Sequence, residues 1–292
     1  MLALLWLPAL GCAAGSSTVP APVSDSVAVA RVAEARGEGD SLVIRFLDVG
    51  QGDATLITLG SRAVLIDAGR GDDIVLVLAD HGVDSLVAAI ASHNHADHLG
   101  GMDAVVADLP VGRYLDNGRP PANQITRDVH RWLDRKQVPR PPPPWDPILL
   151  GDVRIEVRRS PLTGARTSEN DASLAVLIER GSFRALLTGD SEVEALTAWL
   201  ATGWIPPVTV LKAAHHGARN GVTPGWLERT RPEVVVISVG AGNTYGHPDP
   251  WALRYFQLHD RRVLRTDRDG TVSIIVDRAG RWRLETAGPI AR

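Results

Sequence analysis

The hydrophobic pattern of the chain changes character near residue 40. In "SLVIRFLDV" (41–49), Leu42, Ile44 and Phe46 alternate with Val43, Arg45 and Leu47, the period of two expected of a strand. "GQGD" follows as a turn, and "ATLITLG" and "RAVLIDAG" predict two further strands. "DDIVLVLADHG" (72–82) predicts a helix stopped by Gly82. "DSLVAAIAS" (84–92) predicts a buried strand, and "LGGMDAVVADL" (99–109) a helix.

The second half repeats this style. "SLAVLIER" and "FRALLTGD" predict strands, and "SEVEALTAWLATG" a helix with a glycine stop. "VTVLKAAHHG" is a strand ending in paired histidines, "PEVVVISVG" a strand, "DPWALRYFQLHD" a helix and "TVSIIVD" a late strand. Between the halves, "QITRDVHRWLDRK" predicts a helix, and "VPRPPPPWDP" (138–147) is too proline-rich for regular structure. Strands that begin as hairpins and then alternate with helices imply an α+β fold, two mixed sheets packed together with helices outside.

Residues 1–39 differ. "MLALLWLPALGCAAGSS" opens with an apolar run too short for a membrane span but suited to a signal-peptide core. "PALGC" resembles a bacterial lipoprotein processing site, with Cys12 as the lipidated residue. This predicts a leader over 1–12, a tether rich in Ala, Ser, Pro, Val and Gly over 13–39, and one folded domain over 40–292. The location expected is extracytoplasmic, either as a lipoprotein whose only membrane contact is its lipid anchor or as a secreted protein.

Composition narrows the chemistry. Cys12 is the only cysteine, so an internal disulfide framework is excluded and a metal site in the domain must use nitrogen and oxygen ligands. The formal net charge of −3 does not announce a nucleic-acid binder, and no basic stripe interleaved with aromatics runs along the sequence. Lys136 and Lys212 are the only lysines among many arginines.

Candidate ligands crowd into "ASHNHADHLGG" (91–101). His93, His95, Asp97 and His98 fall where a strand ends and a helix begins. In an extended turn, residues two apart project to one side, so His93 and His95 can clasp one ion, and Asp97 and His98 a second. Gly100 and Gly101 let the following helix pack closely. Further ligands follow strands in the second half: Asp190 in "LLTGD", suited to bridge both ions, and His215 and His216 in "LKAAHHG". His215 is the preferred ligand of that pair, although the sequence leaves the choice open. His216 and His247 are then candidates to contact substrate or protonate a leaving oxygen, with Asp97 in the catalytic centre. Lys212 and Arg219 flank the paired histidines and can steer an anion. Asp67 in "LIDAG" is expected to support the metal loop. Asp48 and Asp53 flank a Gly-rich turn, for which hairpin geometry alone is a sufficient reason, and His81, His130 and His259 read as structural.

HxHxDH followed by GG resembles the signature of the metallo-β-lactamase superfamily, whose members are mostly binuclear hydrolases. The finer resemblance is to the C-terminal hydrolase domain of ComEC-type DNA-uptake (competence) proteins. It is carried by "FLDVGQGDA", "SHNHADHLGG", "NDASL", "LLTGD", "LKAAHHG", "SVGAGNTYGHP" and "RTDRDGTV", in the family's order. The resemblance implies a four-layer αββα sandwich, two divalent metal ions (zinc or manganese), and a DNA or other phosphodiester substrate, with Asn243 as a further substrate contact. Two departures stand out. ComEC domains usually carry aspartate where this chain has His95. The superfamily's third histidine, expected between the cluster and Asp190, has no counterpart, and Glu169 or Asn170 is the candidate replacement. The membrane channel of ComEC proteins is absent from this sequence.

Water between two dications has its pKa lowered from about 15.7 towards 7, and the two ions outweigh the charge of Asp97, Asp190 and hydroxide. The surplus favours an anionic phosphodiester. The expectation is therefore a metal-dependent phosphodiesterase or nuclease acting on DNA. The competing readings are hydrolysis of phosphorylcholine esters, lactones or β-lactams on the same site, and a non-catalytic surface lipoprotein. No protein partner is inferable.

Overall fold

The computed structural model describes residues 40–288. Cys12, the leader and the tether lie outside the described residues. Among the described residues, no helix is long and apolar enough to cross a membrane.

Two seven-stranded sheets form the middle layers. In the first, β1 (Leu42–Phe46), β2 (Thr55–Leu59) and β3 (Arg62–Ile66) form an antiparallel meander. Two short parallel strands, β4 (Ala88–Ile90) and β5 (Tyr114–Leu115), extend one edge. The second sheet begins with β6 (Ile148–Leu150), β7 (Val153–Arg158), β8 (Ala175–Arg180) and β9 (Phe183–Leu187), all antiparallel. It continues in parallel through β10 (Val210–Lys212), β11 (Val234–Ile237) and β12 (Arg262–Arg265). The chain then returns to the first sheet, where β13 (Val272–Val276) pairs with β1 and β14 (Trp282–Thr286) pairs with β13.

Alternation decides which layer each strand residue joins. Leu42, Ile44 and Phe46 meet Ile155, Ile178, Phe183 and Val236 in a core between the sheets. Residues of opposite parity, such as Leu56, Leu65 and Ala89, pack outward against α1 (Ile74–Asp80), α3 (Met102–Asp108) and α4 (Gln124–Arg135). On the far side, Leu177, Leu186 and Leu211 pack under α5 (Val193–Ala201) and α6 (Pro224–Thr230). Val235 and Ile237 pack under α7 (Pro250–Leu258). The result is the four-layer αββα arrangement expected from the sequence.

Some elements are shorter than their apolar runs suggest. β4 keeps only three residues of the run 84–92, with Leu86 in an isolated bridge to Val111. The helix expected over 99–109 is divided at Gly100 and Gly101 into α2 (Ala96–Leu99) and α3. A Cβ at Gly100 would stand 2.4 Å from the carbonyl oxygen of Arg70, so the glycine is what allows the loop after β3 to lie against the cluster. β3, β4, β9, β10 and β11 end along one rim, where the connecting loops carry the ligand-type residues, as in open α/β sheets.

Truncating Phe46, buried between the sheets, to alanine is expected to cost about 3–5 kcal/mol, read as a lowered urea midpoint at unchanged m-value.

Candidate metal centre

β4 ends at Ile90 and runs into a turn whose backbone is still extended at His95. Helix α2 starts at Ala96, so Asp97 and His98 sit on its first turn and His98 swings back into the interior. His93 and His98 are fully buried. From the second sheet, the loop after β9 brings Asp190, and the loop after β10 brings His215 and His216. Both histidines have left-handed backbone, at φ 50° and 52°. Two consecutive non-glycine residues in that region are costly and are held by their surroundings. The reversal points His216 inward, at 1% exposure, and leaves His215 at the mouth.

Asp190 is the hub. Its Oδ1 lies 3.2 Å from Nε2 of His98. Its Oδ2 lies 3.5 Å from Nε2 of His216 and 3.9 Å from Nε2 of both His93 and His215. Nε2 of His216 is also 3.4 Å from Oδ2 of Asp97, and Nε2 of His93 is 3.1 Å from Nδ1 of His95. Tetrahedral ligands at about 2.0–2.2 Å from an ion stand roughly 3.4 Å from one another. The separations therefore suit side chains sharing ions better than side chains sharing hydrogen bonds. Consistent with this, Nε2 of His98, Nε2 of His216 and Oδ1 of Asp190 are buried and make no hydrogen bond.

The opposite edge of each imidazole is held. Nδ1 of His98 donates to Oδ2 of Asp67 at 2.8 Å. Nδ1 of His216 donates to the Ser238 carbonyl at 3.0 Å and lies 3.3 Å from Asp53. Ser92 Oγ donates to Asp67 and so accepts from Nδ1 of His93. Nδ1 of His215 donates to Oδ1 of Asn220. Each such bond fixes the tautomer that leaves Nε2 free for a metal.

Asp53, His98, Asp190 and His216 are four buried ligand-type side chains whose ligand atoms all lie within 4.8 Å of one another. Asp53, however, faces the Nδ1 edges, and Lys212 pairs with its carboxylate. It braces the histidines from behind, whereas Asp97 faces Nε2 of His216. Asp53 was legible in sequence only as a turn residue. Its ladder to the cluster depends on Gly52, where a Cβ would stand 2.2 Å from the Asp97 carbonyl oxygen. Asp53 N donates to that same oxygen at 2.9 Å.

The pocket beside the cluster has a volume of about 350 Å³. His95, Asp97, Asn170, His215 and His247 line it, together with Arg70 and Tyr245, which hydrogen-bond to each other across its mouth. Sequence reasoning missed Arg70 and Tyr245. Of the residues expected to meet substrate, His247 is in the pocket, its ring 5.3 Å from that of His215. Lys212 is not available to an incoming anion, since it is buried at 1% exposure against Asp53. Arg219 lies over the Trp251 ring at 4.7 Å. Asn243 donates to the carbonyls of Gly240 and His247 and so shapes the loop. Asn170 lines the pocket, whereas Glu169 accepts from the Asn94 amide and braces the turn from beneath.

Without metal, protons supply the positive charge. Burial opposes a proton on His216, yet Asp190 and Asp53 raise its pKa to about 9. His98 is raised well above the usual value by Asp190, Asp67 and Asp53 against the same burial. Burial raises the Asp97 carboxyl, but the close approach of His216 and the charges of His98 and His216 bring it down to about 2. His93 goes the other way, lowered well below the usual value by burial and by His98. A metal ion at this cluster must therefore displace protons.

A raised histidine stabilises the fold below its unfolded pKa of about 6.5, and that stability is lost as pH rises through about 9 for His216. The metal-free protein should accordingly lose thermal stability between these pH values, and the metal-loaded protein should not. Calorimetric titrations in buffers of differing ionisation enthalpy should show proton release on metal binding at pH 7; release of none would contradict the protonated cluster.

Comparison with known proteins agrees with this architecture. The family model described as the metallo-beta-lactamase superfamily matches residues 47–241. "ComE operon protein 3" of Bacillus subtilis is 26% identical over 257 residues, 78% of this chain and 32% of that protein. "Competence protein ComA" of Neisseria gonorrhoeae is 28% identical over 242 residues, 80% of this chain and 32% of that protein. The chain thus spans about a third of the length of these relatives. Among solved structures, the metallo-beta-lactamase fold protein YhfI of Bacillus subtilis superposes with a TM-score of 0.50 at 13% identity, covering 77% of this chain and 96% of that one. The chain belongs to the metallo-beta-lactamase superfamily, and competence proteins are among its relatives.

Proposed function

We propose that this chain is a binuclear metal-dependent phosphodiesterase that cleaves DNA. The observation that carries the reading is the convergence of four imidazole Nε2 atoms on Asp190 beside a pocket whose mouth holds Arg70. Asp97, His98 and His216 would hold one ion, and His93, His95 and His215 the other, with Asp190 shared between them. His215 would then stand in for the superfamily's third histidine, and His216 would be a ligand as well. Nitrogen and carboxylate oxygen donors suit zinc or manganese. Bound there, two dications lower the pKa of water and neutralise a phosphate.

The chain's own groups do the rest. Arg70 presents a guanidinium for bidentate contact with a phosphate oxygen pair, released from Tyr245 as substrate enters. His247 has a lowered pKa, from burial and from the neighbouring His215 and His216. It is neutral at pH 7 until an anion arrives, and can then carry a proton to a leaving oxygen. Asp53, held by Lys212, and Asp67 keep the ligand imidazoles oriented. The competence relatives support DNA as the phosphodiester.

Incubated with single- and double-stranded DNA and manganese or zinc, the protein should cleave, and Asp97→Ala should abolish cleavage. Arg70→Ala should raise KM for DNA about tenfold or more while leaving any neutral ester or lactam unaffected. Two bound metals without DNA cleavage would refute the nuclease reading and point to small phosphodiesters, lactones or β-lactams.

Metal content separates ligands from braces. His216→Ala should retain about half the metal of the wild type by elemental analysis. Asp53→Asn should retain the full content at roughly 10–100-fold lower affinity; half content in Asp53→Asn would make it a ligand instead.

A further inference from the structure

Charge is unevenly distributed along this chain. Residues 113–166 hold eleven arginines and lysines against six acidic residues, although the whole chain has a formal net charge of −3. The fold gathers part of this surplus beside the metal pocket. Glu169 accepts from the amide of Asn94, which lies between His93 and His95, and from Asn117 and Arg119. Asn117 and Arg119 line a cleft of about 400 Å³, and Arg159 forms part of its wall. Arg159 also lines the next cleft, together with Pro143, Pro144 and Trp145. Arg159 is exposed and donates to the Asn117 carbonyl, and among the described residues no ion pair engages it. Beyond it, Arg158 lies over the ring of Trp204 at 4.6 Å.

We propose that these two clefts form a track for single-stranded nucleic acid leading away from the metal pocket, with a backbone phosphate on Arg159, where no ion pair among the described residues competes, and a base on Trp145. The proposal rests on the phosphodiesterase reading above and specifies a polymeric substrate for it. An arginine in a groove neutralises a backbone phosphate, and an aromatic face accepts any base. A base that stacks on a side chain must leave its own stack, so the track selects an unpaired strand over a duplex. The sequence conceals it because its parts come from separate segments: Arg119 follows β5, Trp145 precedes β6, and Arg159 follows β7. The proline-rich stretch, which has no regular structure to contribute, supplies the wall against which Trp145 stands.

The test is fluorescence anisotropy of the metal-loaded full chain with nuclease-resistant phosphorothioate oligothymidylates of about three and about twelve nucleotides. The longer strand should bind more tightly. Arg159→Gln and Trp145→Leu should each weaken the longer strand roughly tenfold and leave the shorter one unchanged. Arg159→Gln should also reduce the slope of log K against log salt by about 0.7. Hydrolysis of bis(p-nitrophenyl) phosphate, too small to reach the clefts, should be unchanged in both variants. Equal affinity for the two lengths, or an unaltered affinity and salt slope in Arg159→Gln, overturns the track while leaving the phosphodiesterase reading intact. Length- and Arg159-dependent binding by a protein that cleaves neither DNA nor the small diester would support the track and refute the phosphodiesterase reading.

Discussion

A buried carboxylate ringed by imidazoles is tolerable only if positive charge is buried with it. Asp190 sets that condition here. It is 3% exposed, and the nearest ring nitrogens belong to four histidines from two different sheets. Protons on His98 and His216 meet the condition in the metal-free state, and cations meet it when bound. The surrounding structure keeps either solution in place. Asp53 and Asp67 are further buried acids on the far edges of the same rings, and Lys212 is the buried cation that matches Asp53. Removing one member leaves another uncompensated, so the centre behaves as a unit.

The fold serves this unit by bringing two half-sites together. β3 and β4 of the first sheet deliver Asp67 and the histidine turn. β9, β10 and β11 of the second deliver Asp190, the paired histidines and the His247 loop. The apolar faces that alternate along these strands seal the sheets against each other, and so set the distance across which Asp190 meets His93 and His98. Packing and chemistry are therefore linked through the strand ends.

Much of this was legible in sequence because it is local. His93, His95, Asp97 and His98 announce themselves by spacing, and the strands by alternation in Leu42, Ile44 and Phe46. What was not legible depends on direction or on distant partners. Nothing in "AAHHG" says that two left-handed residues turn His216 inward and leave His215 at the mouth. Lys212 reads as a cation near the site; only its burial against Asp53 shows that it faces away from substrate. Arg70 sits in a glycine-rich turn far from Tyr245 in the chain. β7 alternates clearly in "VRIEVR", but it lies beside a proline-rich stretch that masks it, and β5 has only two residues.

The burial of Lys212 has a practical side. Of the two lysine side chains in the sequence, Lys136 is exposed and Lys212 is sealed behind the metal cluster in an ion pair. Amine-directed reagents will therefore find a single reactive lysine, at the end of α4 and away from the residues that line the metal pocket. A dye or a solid support coupled there touches none of the residues that line the metal pocket, a handle that comes with the native sequence.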